Sequence, residues 1–318
     1  VPAGIILQGM KIVTSGAGYI DIDAYAGCIA YAELLRLKGH DAKAICEAPW
    51  NESISSSVRA WKVPFETVYT PANDDSFIII DVSDPGHFEK FADLERVVEV
   101  IDHHPGFEQY WQERIGEKAQ IEFIGAACTQ VYEQWKAAGA IDSISVVSAR
   151  LLIAGILDNT LNFGAEITTT RDRIAYDDLL KIAELPNDWT AQYFTECQHA
   201  ILADVSEALA NDTKTLTFAS LPGTVGVGQL VLWDTEEVLH EHRADIEEIL
   251  AKVASGWFLN LVNVGQRKSY FVCEDAKIQA WLSQLLGVRF TGSIAEAERL
   301  WLRKEIIMQD RVFINTHS

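Results

Sequence analysis

The chain has 318 residues, 48% of them hydrophobic, and a formal net charge of −20. That length suggests two domains with sizeable cores. A surface so acidic repels nucleic acid, but it still admits a small phosphorylated ligand wherever metals or local Lys and Arg reverse the sign.

In chain order, residues 10–14 (MKIVT) predict a strand, followed by a helix over 24–38 and a weak strand over 42–46. Residues 77–82 and 96–101 are short apolar runs that predict inner strands, and 120–124 predicts another. Helices are expected near 126–138, 144–157 and 171–184. This rhythm specifies an α/β fold with a doubly wound, mostly parallel sheet. ELPNDW, at 184–189, breaks it, which gives domains 1–187 and 188–318. The second half predicts helices near 190–210, 236–255, 275–286 and 294–302, with strands at 214–219, 224–232, 258–264 and 268–273. It reads as a smaller α+β domain. The five cysteines, Cys28, Cys46, Cys128, Cys197 and Cys273, lack metal-ligand spacing and read as buried thiols. With no signal peptide and no apolar run of transmembrane length, the expectation is a cytoplasmic protein without a membrane partner.

The run EVIDHHPG ends a buried strand with Asp102, His103 and His104. Adjacent residues do not share a helix face, and strand ends of α/β proteins are where ligands bind. Other segments point the same way. SGAGYIDIDAYAG carries Asp21 and Asp23, two apart, so that in an extended segment both carboxylates face one side. FIIIDVSD carries Asp81, and LLIAGILDNTLNF ends a helix with Asp158 and Asn159. Carboxylates gathered on one rim repel one another, and divalent cations resolve the conflict. Oxygen ligands with a little imidazole suit Mn²⁺ or Mg²⁺. SGAGYID fails as a dinucleotide loop because Asp21 stands at the third Gly position. His240 and His242 read as a solvated helix face.

IDHH, DID, IIID and ILDNTLNF together resemble the DHH phosphoesterase superfamily, which includes manganese-dependent (family II) inorganic pyrophosphatases, exopolyphosphatases, prune-like proteins and RecJ-like nucleases. NDTKTLTF, GVGQL and LRKEI resemble segments of the second, DHHA2-type domain of the pyrophosphatase branch. The resemblance implies metal ligands Asp21, Asp23, Asp81, His103 and Asp158, with Asp81 bridging two ions of Mn²⁺ (or Mg²⁺ or Co²⁺) per chain. It implies that His104 touches phosphate, that Asp102 orients the histidines, and that Lys214, Arg303 and Lys304 grip phosphate.

Two positions depart from the family pattern. Ala17 stands where its pyrophosphatases carry a histidine, with Asp84 and His87 the nearest substitutes in sequence. At the fourth motif the ligand is Asp158 or Asn159; charge favours Asp158 as the ligand of a hard cation.

The resulting expectation is hydrolysis of a phosphoanhydride, pyrophosphate or polyphosphate, by a water activated between two metals in a cleft between the domains, with His104, Asp102 and Lys214 assisting. The resemblance also implies a homodimer. Two alternatives are a DHH-type nuclease or phosphodiesterase acting on short oligonucleotides or cyclic dinucleotides, and a non-enzymatic phosphate sensor. The absence of any Gly-Gly dipeptide argues against the first.

Overall fold

The computed structural model describes residues 9–317, with side chains described for 9–310. The chain divides into two compact units: Val1–Phe163 with Ile167–Asn187, and Gly164–Glu166 with Asp188–Ser318.

The first unit runs β1 (Lys11–Thr14), α1 (Ile22–Leu37), β2 (Ala42–Ile45), α2 (Ser56–Ala60), β3 (Phe65–Glu66), β4 (Ser76–Ile80), β5 (Val97–Asp102), α3 (Glu108–Ile115), β6 (Ala119–Ile121), α4 (Ala127–Ala137), α5 (Val146–Asn159) and α6 (Thr170–Ala183). Its sheet has the order β3-β2-β1-β4-β5-β6, and every pairing in it is parallel. Phe77 to Ile80 of β4 are wholly buried, as expected of an apolar strand covered on both faces. Both outermost strands are short, β3 with two residues and β6 with three. Helix α1 approaches the sheet through Gly27, where a Cβ would lie 2.6 Å from Ile80 Cγ2. A parallel sheet puts all strand ends on one edge, so Thr14, Ile80 and Asp102 close their strands along the same rim.

The second unit continues with α7 (Trp189–Ala203), α8 (Val205–Asp212), β7 (Lys214–Thr217), β8 (Thr224–Leu232), α9 (Arg243–Val253), β9 (Trp257–Asn263), β10 (Lys268–Val272), α10 (Ala276–Leu286), β11 (Arg289–Thr291), β12 (Ile294–Ala297) and α11 (Arg303–His317). Its sheet, β11-β12-β10-β9-β8-β7, is mixed, with β8 and β9 parallel. Phe218, Phe258, Phe271 and Trp281 fill one core cluster, and Leu209, Leu230, Leu259 and Leu261 belong to another.

Two expectations for this unit fail. The helix over 190–210 breaks at Asp204, whose non-helical backbone ends α7 and whose side chain accepts from Glu207 N to start α8. In place of the helix over 294–302, Ile294–Ala297 form the second strand of a hairpin turned at Gly292 with φ +62°; helix α11 starts only at Arg303. In β12, Ala295 and Ala297 are buried while Glu296 is exposed, a period of two that overrides the helix propensity of alanine and glutamate. All five cysteines are buried, and none is in a disulfide. Among the described residues, no helix is long and apolar enough to cross a membrane.

Candidate metal centre

The EVIDHH segment ends its strand for a local reason. Asp102 closes β5, and its Oδ1 accepts from the backbone N–H groups of His103 (2.7 Å) and His104 (3.1 Å). A side chain that takes the next two amides folds the backbone out of the ladder. The same oxygen lies 2.8 Å from His104 Nδ1. A carboxylate accepts, so His104 carries its hydrogen on Nδ1 and turns Nε2 outward from a half-exposed ring. Asp102 thus fixes the ring of His104. The ring of His103 is held elsewhere, its Nδ1 being 3.0 Å from Ile124 O.

The neighbouring strand delivers Asp81. It follows β4 with φ +63°, a left-handed conformation that aspartate tolerates better than most residues, while its N–H continues the ladder to Ile101 O (2.8 Å). This turn aims the carboxylate along the rim. Asp81 Oδ1 lies 3.2 Å from His103 Nε2 and 3.8 Å from His104 Nδ1. Ligating atoms of Asp81, His103 and His104 all lie within 4.8 Å of one another.

The arrangement has a definite electrostatic demand. A carbonyl only accepts, so His103 Nδ1 bears hydrogen, and a neutral ring then presents its Nε2 lone pair to Asp81 Oδ1. Two acceptors at that distance need a proton or a cation between them. Asp23 Oδ2 adds a third acceptor 3.9 Å from the same nitrogen. Asp102 Oδ2 and Thr14 Oγ1, both buried, have no hydrogen-bond partner among the described residues. One imidazole nitrogen among carboxylate oxygens is the donor set of a divalent ion such as Mn²⁺, so these residues fit such an ion.

Asp23 reaches this rim differently from the sequence expectation. Asp21 and Asp23 do not alternate along an extended segment. Asp21 is the N-cap of α1, accepting from Ala24 N (3.0 Å), and Asp23 lies in the first helical turn. Helix α4 has no side-chain cap of its own. Asp23 supplies one from a distance, accepting Ala127 N and Cys128 N, each at 2.8 Å. Burial, then the charge of Asp21, push the Asp23 carboxyl up to about 6, against the pull of these amides. Gly155 of α5 packs on it, where a Cβ would stand 3.0 Å from Asp23 Oδ1.

Asp158 occupies the last turn of α5, half-buried, outside the converging trio. Beyond it Leu161, Asn162 and Phe163 all have positive φ, a left-handed turn closed by Asn162 N on Leu157 O (2.8 Å). Ala17 N donates to His87 O (2.8 Å), so His87 runs beside Ala17. Its imidazole is largely exposed and lies 3.8 Å from Asp84 Oδ2.

In the second unit, Lys214 opens β7 and Arg303 and Lys304 open α11. Packed surroundings, then the Arg303 charge, lower the Lys214 ammonium below its ordinary value, although the residue keeps solvent exposure. Arg303 is buried and already bonded. Its guanidinium donates to Asp212 Oδ1 (2.6 Å), to Asp212 O and to Val227 O (3.4 Å). Arg303→Ala is therefore expected to destabilise this unit by ~1–3 kcal/mol by removing the guanidinium hydrogen bonds to Asp212 and Val227, and Arg303→Lys to rescue only part, because an ammonium lacks the planar fork. Thermal melts of the ligand-free chain check this; unchanged melting would show that the guanidinium contributes nothing to the fold.

The residues that sequence reading misses are supports: Ile124 through its carbonyl, Ala127 and Cys128 through their amides, and Asp172. The small-residue run GAAC at 125–128, opening a helix after a strand, is the one signal of an amide-rich helix start.

The chain is 28% identical over 256 residues to a probable manganese-dependent inorganic pyrophosphatase of Streptococcus mutans, covering 78% of this chain and 79% of that protein. It is 26% identical over 260 residues to a probable manganese-dependent inorganic pyrophosphatase of Bacillus cereus, covering 79% and 80%. The putative family II inorganic pyrophosphatase of Methanococcus jannaschii has the same fold, with a TM-score of 0.68 at 20% identity over 96% of this chain and 100% of that one. An exopolyphosphatase-related protein from Bacteroides fragilis aligns with a TM-score of 0.50 at 11% identity, over 98% and 92%. No protein-family model matches the chain.

Proposed function

We infer from this relationship to manganese-dependent inorganic pyrophosphatases that the chain is a divalent-metal-dependent phosphohydrolase acting on phosphoanhydrides, pyrophosphate first and polyphosphate second. The observation that carries the reading is His103 Nε2 facing Asp81 Oδ1 at 3.2 Å in a ring whose other nitrogen is committed to a carbonyl. That geometry asks for a cation.

We assign Asp81, His103 and Asp23 to hold the metal, with Asp21 and Asp158 completing a site for two ions per chain. Bound there, a divalent cation supplies Lewis acidity towards water and phosphoryl oxygen. The chain's own residues do the rest. Asp102 holds His104 Nδ1–H, so the outward Nε2 is placed to share a proton with a phosphate oxygen. In the second unit, Lys214 and Lys304, beside the anchored Arg303, supply positive charge of the kind a phosphate needs.

Phosphate release from pyrophosphate is expected to vanish in excess chelator and to return with Mn²⁺. Parallel assays with tripolyphosphate, long polyphosphate and a cyclic dinucleotide rank the substrates. Hydrolysis that continues undiminished in chelator would remove the metal from the mechanism.

A further inference from the structure

The first unit carries a second concavity that the metal centre does not use. Tyr25, Trp50, Trp61 and Phe65 line a cavity of about 420 Å³, together with Arg59 and Lys62. That volume lies within the roughly 300–1,000 Å³ of small-molecule sites. Backbone bonds from Ile20 N to Pro49 O (2.9 Å) and from Asn51 N to Ile20 O (3.0 Å) fix Trp50 against the segment that leads into α1.

Packing alone accounts for Tyr25, which is buried and touches Phe65 at 4.7 Å and Trp50 at 5.4 Å between ring centroids. It does not account for the space in front of the rings or for Lys62 beside it, whereas Arg59 is anchored by donating Nε to Ile54 O (2.7 Å) and Nη2 to Asn51 O (3.3 Å). The Arg59 guanidinium lies 5.3 Å over the Trp50 ring, and Arg150 lies 5.9 Å from that of Trp61. Arg59 and Lys62 are exposed, and no acidic residue lines the cavity, in a chain with 46 acidic side chains against 26 basic ones. Aromatic faces select a planar ring, because stacking works for any base. Two cations select an anion attached to it.

We propose that this aromatic cavity binds a nucleoside phosphate, the base among the Trp50, Trp61 and Phe65 rings and the phosphate on Arg59 and Lys62. The inference does not depend on the metal-centre reading, and its test keeps the two apart. Adenosine monophosphate, adenosine and inorganic phosphate are titrated onto the full chain in chelator, read by tryptophan fluorescence and by calorimetry. The monophosphate should bind saturably, adenosine more weakly, and phosphate alone should leave the fluorescence unchanged. Trp61→Ala should weaken the monophosphate about tenfold or more. Lys62→Gln should reduce its advantage over adenosine. Unchanged melting temperatures certify both folds. Three results overturn the proposal: no saturable binding of the monophosphate at millimolar concentration, equal binding by Trp61→Ala, or a dimer in sedimentation that Trp61→Ala dissociates, which gives the cavity to a second copy.

Discussion

Asp81→Asn is expected to reduce phosphate release to background and to weaken Mn²⁺ binding by at least ~100-fold, more than losses typical of supporting residues. Asparagine is the informative replacement because it also tolerates positive φ, and Asp81 sits at φ +63°. The backbone turn survives and only the carboxylate is lost. Without metal the effect should run the other way. An amide N–H₂ can donate to His103 Nε2 directly, where the carboxylate 3.2 Å away needs a proton between the two. The chelated variant should therefore melt at or above the chelated parent. Calorimetric titration with Mn²⁺ and paired melts separate the two effects. Parent-like metal affinity in Asp81→Asn would dismiss Asp81 as a ligand.

The largest loss of stability is expected from Asp172→Ala. Its carboxylate, wholly buried, accepts Thr129 Oγ1 (2.6 Å), Thr169 N (2.7 Å), Thr169 Oγ1 (2.8 Å) and Gly125 N (3.3 Å). Removing it undoes the capping box of α6 and strands donors in a place water does not reach. Hydrogen bonds to a charged group contribute roughly 1.5–3 kcal/mol each, and unmet donors cost about 1–3 kcal/mol. A loss of at least ~3 kcal/mol follows, which in a unit of this size is a fall of about 6–12 °C in melting temperature. Because Gly125 leads into the α4 amides that hold Asp23, Mn²⁺ affinity should fall with it. A melt within about 2 °C of the parent would mean that water or a neighbour replaces the carboxylate, against the usual cost of an unmet buried donor.

The parts legible in the sequence are those with a short-range signal. FIII is a continuous apolar run and VVEVI one interrupted only by Glu99, so β4 and β5 declare themselves. The abrupt polar residues after them, Asp81 and Asp102 to His104, mark the rim where the strands end. Asp23 was legible as an acid near a helix start but not as the cap of α4. Its amide partners lie 104 and 105 residues away, and nothing local announces them. The alternation drawn for Asp21 and Asp23 fails for a related reason: Asp21 caps the helix itself, so the extended segment has already ended. Residues 294–302 misled because Ala, Glu, Arg and Leu favour helices in isolation, whereas the pairing of β12 with β10 and β11 decides the outcome. The aromatic cavity carries no local signal, because Tyr25, Trp50, Trp61 and Phe65 share no period. They meet only when α1, the loop after β2 and β3 are brought together.

The brevity of the outer strands of the parallel sheet bears on how the chain behaves in a crowded solution. Open sheet edges are templates on which a foreign strand can polymerise. Here β3 offers two residues and β6 three, too few to anchor an incoming strand against the entropy of ordering it. Colloidal repulsion between copies, each with a net charge of −20, adds to that protection. High concentrations should therefore be tolerated without fibrils seeded from this sheet, and self-association of the first unit has to be built from side chains on its faces, not from its sheet running on into that of another copy.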